Sequence, residues 1–333
     1  MTAAVTAPPA AGGVGESLGR WLRRNTWTLA LVALFVALLI VTRLLAPRYG
    51  SAQIESLAIS ALPVALAAVA QAIVVISGGI DLSVGPMMAF TSVTAAVLMK
   101  DQSDEFAAVV VVMVLLMGLV LGAINGTLVV LTRVPDIVVT LAMSFVWAGA
   151  ALLVINTPGG DAADWLKAVI DGSLGSEWIP RALVVLLLVV GLVWIPVLRS
   201  RLGVSMYAIG SDRLAAFRSG VAVGRTKVAA YALTGLFAAA GGLALTMSTG
   251  IGSPVPGPYT LQSVAAIVLG GVSLAGGRGG LIGPILAVFI LALVRTDLTF
   301  IGINPNLSTA IQGALLVGVV MFGAVTTYRR KRR

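Results

Sequence analysis

The chain alternates long apolar runs with short polar stretches. The runs cover roughly 27–45, 53–76, 84–100, 106–131, 137–156, 180–198, 226–248, 260–274, 280–300 and 307–326. An apolar segment of about 18 residues or more is long enough to cross a bilayer as a helix. The pattern therefore predicts an all-α, polytopic membrane protein with about ten transmembrane helices in one membrane domain, residues 27–326. The runs at 84–100 and 260–274 are short and lie beside glycine pairs, so they are expected to be broken or re-entrant. Residues 1–26 open with a Pro/Gly-rich stretch without periodicity and predict a disordered tail; 327–333 form a basic tail. Basic residues ahead of the first run resemble a signal peptide, but the run is long enough to span and no small-residue cleavage site follows, so it is expected to stay as the first span.

Charge orients this layout. With the N-terminus in the cytoplasm, ten spans place 16 of the 22 Lys and Arg residues on the inner side. Among them are Arg20, Arg23 and Arg24, Arg133, the group from Arg199 to Lys227, Arg278, and the five that end the chain. The acidic Asp101, Asp104, Glu105, Asp161, Asp164, Asp171 and Glu177 fall outside. An excess of Lys and Arg in short cytoplasmic loops is the usual bias of membrane proteins, and it predicts an even number of spans with both termini in the cytoplasm. Between the spans, 161–171 reads as an outer interfacial helix with Trp165 as its anchor.

Composition narrows the chemistry. Of 333 residues, 59% are hydrophobic and 11% charged, against about 25% charged in an ordinary soluble domain. There is no cysteine and no histidine. Disulfides, thiolate nucleophiles, histidine-ligated metals and Ser-His-Asp triads are thereby excluded. The sequence implies no metal site and no cofactor in this chain. The net charge of +9 is topological, lying in short stretches between spans, and implies no nucleic-acid partner. Gly15-Glu-Ser-Leu-Gly19 fits a nucleophile elbow, but with no histidine to serve it. Arg295 and Asp297 fall where the ninth span leaves the membrane, so they are expected to snorkel rather than pair.

Four stretches carry candidate function. Ser77-Gly-Gly-Ile-Asp-Leu-Ser-Val-Gly-Pro86 joins the second and third spans. Gly78 and Gly79 allow unusual backbone shapes. Asp81 is an ionisable group beside two apolar spans, a costly placement that marks translocation paths. Gly78, Gly79, Asp81 and Ser83 read either as a gate-lining turn or as a turn in which Asp81 or Ser83 caps the next helix. Leu269–Pro284 holds three glycine pairs but no Gly-Lys-Ser/Thr, so it is not a nucleotide-binding loop. It reads as a tight inner turn, with Gly270, Gly271 and Ser273 as path candidates. The two glycine turns resemble each other, as internal repeats in transporters do.

The inner loop 199–227 contains a segment with helix grammar, Ser211-Asp-Arg-Leu-Ala-Ala-Phe-Arg-Ser-Gly220. Ser211 can cap, Asp212 suits a first turn and Gly220 can stop the helix. Too polar to span, it reads as a docking surface for a partner or as a basic loop near anionic lipid. Gly118, Gly122 and Gly126, four apart in the fourth span, permit close helix packing.

The run Gly78-Gly-Ile-Asp-Leu-Ser-Val-Gly85 resembles the signature of inner-membrane permease subunits of ABC-type monosaccharide importers, the ribose/xylose/galactose group. The likeness continues through Pro135–Leu141, Ala208–Gly210, Ser219–Val223, Lys227 and Ala265–Gly271. It covers nearly the whole chain past residue 27. The resemblance implies the all-helical importer permease fold and a second permease subunit paired around a central path. It implies a coupling helix at Ser211, Asp212, Arg213, Ala215, Ala216, Ser219 and Gly220 docked on an ATP-binding cassette subunit. ATP would be used by that partner, and an extracytoplasmic binding protein would deliver a sugar or polyol. Two positions depart from the pattern. Gly257-Pro-Tyr-Thr-Leu-Gln-Ser-Val lacks the acidic residue the family often carries, and Pro86 stands where a small or polar residue is common. Such departures are similar to members that pair with a non-identical permease. The alternative is a secondary transporter driven by an ion gradient, with Asp81 its best relay candidate and Glu55 at a span edge. An intramembrane aspartyl enzyme would need two facing carboxylates, and no such pair is evident.

Overall fold

The computed structural model describes residues 25–304, 306–314, 317–318 and 321. In chain order the elements are α1 (Thr26–Leu45), α2 (Ser51–Ile76), α3 (Val84–Met99), α4 (Asp104–Thr132), α5 (Asp136–Val154), α6 (Asp164–Ile170), β1 (Ser173–Leu174), β2 (Ser176–Pro180), α7 (Arg181–Arg199), α8 (Arg201–Ser211), α9 (Arg213–Arg218), α10 (Val223–Thr249), α11 (Tyr259–Leu269) and α12 (Ile282–Phe300). Among the described residues, α1, α2, α4, α5, α7, α10 and α12 are long and apolar enough to cross a membrane, and α3 and α11 are shorter apolar helices. These nine coincide with the first nine apolar runs, so the molecule is the polytopic helical protein that its hydropathy pattern predicts. The tenth run starts on helical residues 306–314; the rest of it, like the two tails and the Gly15–Gly19 run, lies wholly or partly outside the described residues.

Local chemistry fixes the helix ends. Ser103 caps α4 by accepting from the Phe106 amide at 3.4 Å, and Asp104 and Glu105 face the positive end of that helix. Pro86 sits in the first turn of α3, where its missing N–H would have no intrahelical acceptor. Helices α2 and α3 are buried on nearly every side, and α10 packs against α2, α3 and α4. The α4–α10 contact depends on the glycines spaced by four. A Cβ on Gly122 would lie 2.9 Å from the Gly235 amide nitrogen, so the two backbones touch directly.

Helix α1 lies on α12. Phe35 meets Phe289 edge-on at 6.4 Å, and Thr42 Oγ1 donates to Asp297 Oδ1 at 2.6 Å. Asp297 is therefore buried against α1 and does not snorkel. Arg295 is exposed and donates to Gln312 Oε1 at 3.3 Å, so its partner is an amide on the next helical stretch.

Loops that charge counting assigns to one side meet at one end of the molecule. At the basic end, the Gly277 amide donates to Ile76 O at 3.0 Å, Tyr207 Oη to Gly279 O at 2.8 Å, and Lys227 pairs with Asp136. At the acidic end, Gly159 and Gly252 exchange backbone hydrogen bonds, Asp161 N donates to Ala96 O, and the Gly172 amide donates to Glu55 Oε1 at 2.6 Å. The outer helix is shorter than the expected 161–171. Trp165 is half-buried against the cluster that includes Met99, Val110, Val114 and Leu166, and its Nε1 is enclosed, so its polar tip does not reach outward as an anchor's would.

Candidate functional site

The glycine turn after α2 folds inside the protein rather than beyond its end. Along α10, Lys227 meets Asp136, while Gly242 lies against Thr91 of α3, about 22 Å further along at 1.5 Å per residue. Ser83 and Gly85 lie between these levels, so α3 starts within the span of its neighbours. Helix α11 starts at the same depth. The Gly85 amide donates to Thr260 Oγ1 at 2.9 Å, and Thr260 Oγ1 lies 3.4 Å from Leu82 O. From there α11 runs only 11 residues, about 16 Å, to the basic end, where Trp27 Nε1 donates to Leu269 O at 3.0 Å. Residues 250–258 reach this point non-helically, passing Gly252 against Val93 and Gly257 beside Gly85. Two short helices thus abut by their N-termini inside the bundle, an arrangement tolerated at membrane depth where broken backbone is buried or lines a cavity.

Polar side chains fill the junction. Asp81 is fully buried; its Oδ1 accepts from Ser83 N at 2.8 Å and Ser83 Oγ at 2.6 Å, while Oδ2 has no protein partner. Ser83 Oγ accepts from Asn125 Nδ2 at 2.7 Å, and Trp147 Nε1 donates to Asn125 Oδ1 at 3.2 Å. Asp81 therefore ties the turn to α4 and, through Asn125, to α5. Neither Asp81 nor Ser83 caps α3 in the expected way: Ser83 occupies the cap position without a side-chain bond to the helix.

A second buried cluster supports the turn from below. Lys227 Nζ lies 3.1 and 2.8 Å from the two oxygens of Asp136, and Tyr231 Oη donates to Asp136 Oδ2 at 3.0 Å. Tyr231 Oη also lies 3.4 Å from Ile80 O, and Thr140 Oγ1 accepts from Leu82 N at 3.1 Å. A Cβ on Gly79 would stand 2.6 Å from Asp136 Oδ2 and 2.9 Å from Tyr231 Oη. Gly79 is thus required by close approach, and Gly78 by its φ of +76°.

The second glycine turn joins this site only in part. Gly276 packs on the Gly78 backbone, and Gly277 bonds Ile76. Gly270 packs instead on Gly283 and Pro284, Gly271 on Trp27, and Ser273 N donates to Arg278 O at 3.1 Å. Those three candidates therefore lie apart from Asp81.

The inner loop reaches the same place through α8. Gly210 fits between Ile76 and Gly277, leaving no room for a Cβ. Tyr207 is partly buried beside it, and burial pushes its phenol above the ordinary value, keeping it a donor to Gly279 O. The expected helix at 211–220 begins one residue later. Ser211 ends α8, and Asp212 is the cap of α9, its Oδ1 accepting from Leu214 N and Ala215 N at 2.9 Å each. Arg213 and Ala215 lie on α9, Ala216 is buried against Ile209 and Val223, and Ser219 and Gly220 (φ +83°) close the helix.

Sequence reading missed Asn125, Trp147 and Tyr231, which lie inside apolar runs, and gave no role to Thr260 at the edge of one; none of them carries a spacing signal. Asp136 and Lys227 were visible in the motif chain, but nothing in the sequence shows that they face each other.

The family model described as "Branched-chain amino acid transport system / permease component" matches residues 53–320. The chain is 29% identical over 322 residues to the autoinducer 2 import system permease protein LsrD of Escherichia coli K12, covering 92% of this chain and 95% of that protein. LsrD of E. coli O9:H4 (strain HS) and of Shigella flexneri match to the same extent. No solved structure matches. The importer-permease expectation drawn from the motifs is met by both comparisons: this chain belongs to the transport-system permease family and is a multi-pass, non-catalytic membrane permease subunit.

Proposed function

We propose that this subunit forms the translocation path of an ATP-driven importer for a monosaccharide, a related polyol or a similarly hydroxylated small molecule. The observation that carries it is the internal junction where α3 and α11 abut around the buried Asp81, Ser83 and Asn125, with α8 in backbone contact with the turn. Broken helices at membrane depth are the usual construction of a transport path. The autoinducer-2 import of the relatives supports a small polar cargo. A separate ATPase subunit would dock on α9 from the cytoplasm, which the basic end would face under the positive-inside rule, with both termini on that side. A second permease subunit, identical or not, would complete the path, and a binding protein would present cargo at the acidic end.

In this reading ATP binding by the partner moves α9, and α8 passes that motion to Gly78 and Gly276 by direct contact. The test is uptake by proteoliposomes holding the complex purified from its native membrane. Cargo carried by the co-purifying binding protein should accumulate only with ATP. Deleting 211–220 should abolish cargo-stimulated hydrolysis. Uptake sustained by an ion gradient without ATP would overturn the reading.

A further inference from the structure

At the basic end a cavity of about 180 Å³ opens beside α9. It is lined by Arg133, Asp136, Arg213 and Lys227, with valines of α4 and α10 as walls. Its charges do not cancel internally. Asp136 is committed to Lys227 and Tyr231. No carboxylate among the described residues lies within ion-pairing distance of Arg133 or Arg213. Asp212, next to Arg213, already accepts the Leu214 and Ala215 amides.

Arg133 carries a second signal. It ends α4 in the left-handed region, with φ +58°. Glycine is the residue that adopts this conformation freely. A strained non-glycine backbone points to function when its side chain has a task, and here that side chain lines the cavity. The space exceeds that of a single water, whose share of the liquid is about 30 Å³. Val129, Val130, Val134 and Val223 complete the lining, and both arginines are exposed to an incoming partner. Two guanidinium groups match the planar oxygens of a carboxylate.

We propose that this cavity is a socket for an aspartate or glutamate side chain of the ATPase subunit. The proposal rests on the importer reading and deepens it. The coupling segment alone does not form the socket, because Arg133 comes from the α4–α5 turn. Arg213 makes the socket continuous with the α9 docking face, and the positive lining complements a carboxylate. The docked carboxylate would stand over the Lys227–Asp136–Tyr231 cluster, which in turn touches Gly79. A bound partner would thereby act on the turn through a second route besides α8.

The test measures the affinity of the purified ATPase subunit for the permease in phosphatidylcholine nanodiscs, across a salt series. Arg133→Gly relieves the backbone strain while removing the charge. It should weaken docking by about tenfold or more, flatten the salt dependence, and leave the thermal midpoint equal or higher. Arg213→Gln should weaken docking to a similar degree. A purely structural role for Arg133 would lower affinity and midpoint together. Unchanged affinity for both variants would overturn the socket. An effect seen only when anionic lipid is added to the nanodiscs would assign the cavity to a lipid phosphate instead and also overturn it. If the native permease binds no ATPase at all, the importer reading itself fails, a result distinct from normal docking by the variants.

Discussion

The two glycine turns share a backbone shape and differ in everything around it. After α2, the amides of Ser77, Gly78 and Gly79 bond Ile73, Val75 and Val74; after α11, those of Gly270, Gly271 and Val272 bond Ala266, Val268 and Ile267. The left-handed residue is Gly78 in one and Gly271 in the other. The first turn closes over charge, with Asp136, Lys227 and Tyr231 beneath it and Asp81 within it. The second closes over backbone and the Trp27 ring. A shared glycine pair therefore reports a shared way of ending a helix, and the same three bonds also end α9 at Ser219, Gly220 and Val221. The neighbours, not the turn shape, set the two apart.

That contrast can be broken in order of expected size. Lys227→Met leaves the largely enclosed Asp136 without its cation; breaking a fully buried pair costs about 3–5 kcal/mol, and the loss here should fall near the lower end because Asp136 stays partly open to the cavity beside α9. Thermal unfolding in detergent should show the loss, and the double variant with Asp136→Asn should recover a large part of it. If the single variant is as stable as the parent, the first turn does not depend on charge. Gly79→Ala forces a methyl toward Asp136 and Tyr231, and overpacking of this kind costs about 1–3 kcal/mol; combined with Asp136→Ala, its cost should shrink. Gly271→Ala meets a left-handed backbone, worth about 1–2 kcal/mol, and also requires the Trp27 ring, 2.5 Å from the added Cβ, to shift; neither cost should depend on Lys227. A coupling between those two sites would show that the turns are one unit. At the acidic end, the Lys167 pairs with Asp161 and Asp164 are exposed, so Lys167→Ala should leave the unfolding midpoint unchanged within error.

How far the sequence could be read depended on the kind of force involved. Nine apolar helices, seven of them long enough to span, were legible because burial in lipid demands continuous apolar runs. The grouping of basic loops followed from a charge bias that acts during insertion. Gly220 and the α9 helix were legible because caps and stops are local. What failed was non-local: Asp212 rather than Ser211 as cap is a shift of one residue, but Asp297 bonding Thr42 across 255 positions has no sequence trace. Lys227 looked like one more inner-side charge until the fold set it against Asp136, 91 positions away. Asn125 and Trp147, embedded in apolar runs, carried no pattern that a polar network could be inferred from.

The brevity of α11 bears on how this protein is made. Insertion machinery retains a segment in the bilayer according to its own apolar length, and 11 helical residues fall well short of the about 20 needed to span. The stretch 250–269 must therefore be drawn into the membrane by helices already there, after α10 has been placed and while α12 is arriving. A topology reporter fused after Leu269 should report a mixed orientation, and one fused after Phe300 a single one. The polar junction at Thr260 is then among the last parts of the molecule to assemble, so the centre of the bundle is closed by about the final quarter of the chain.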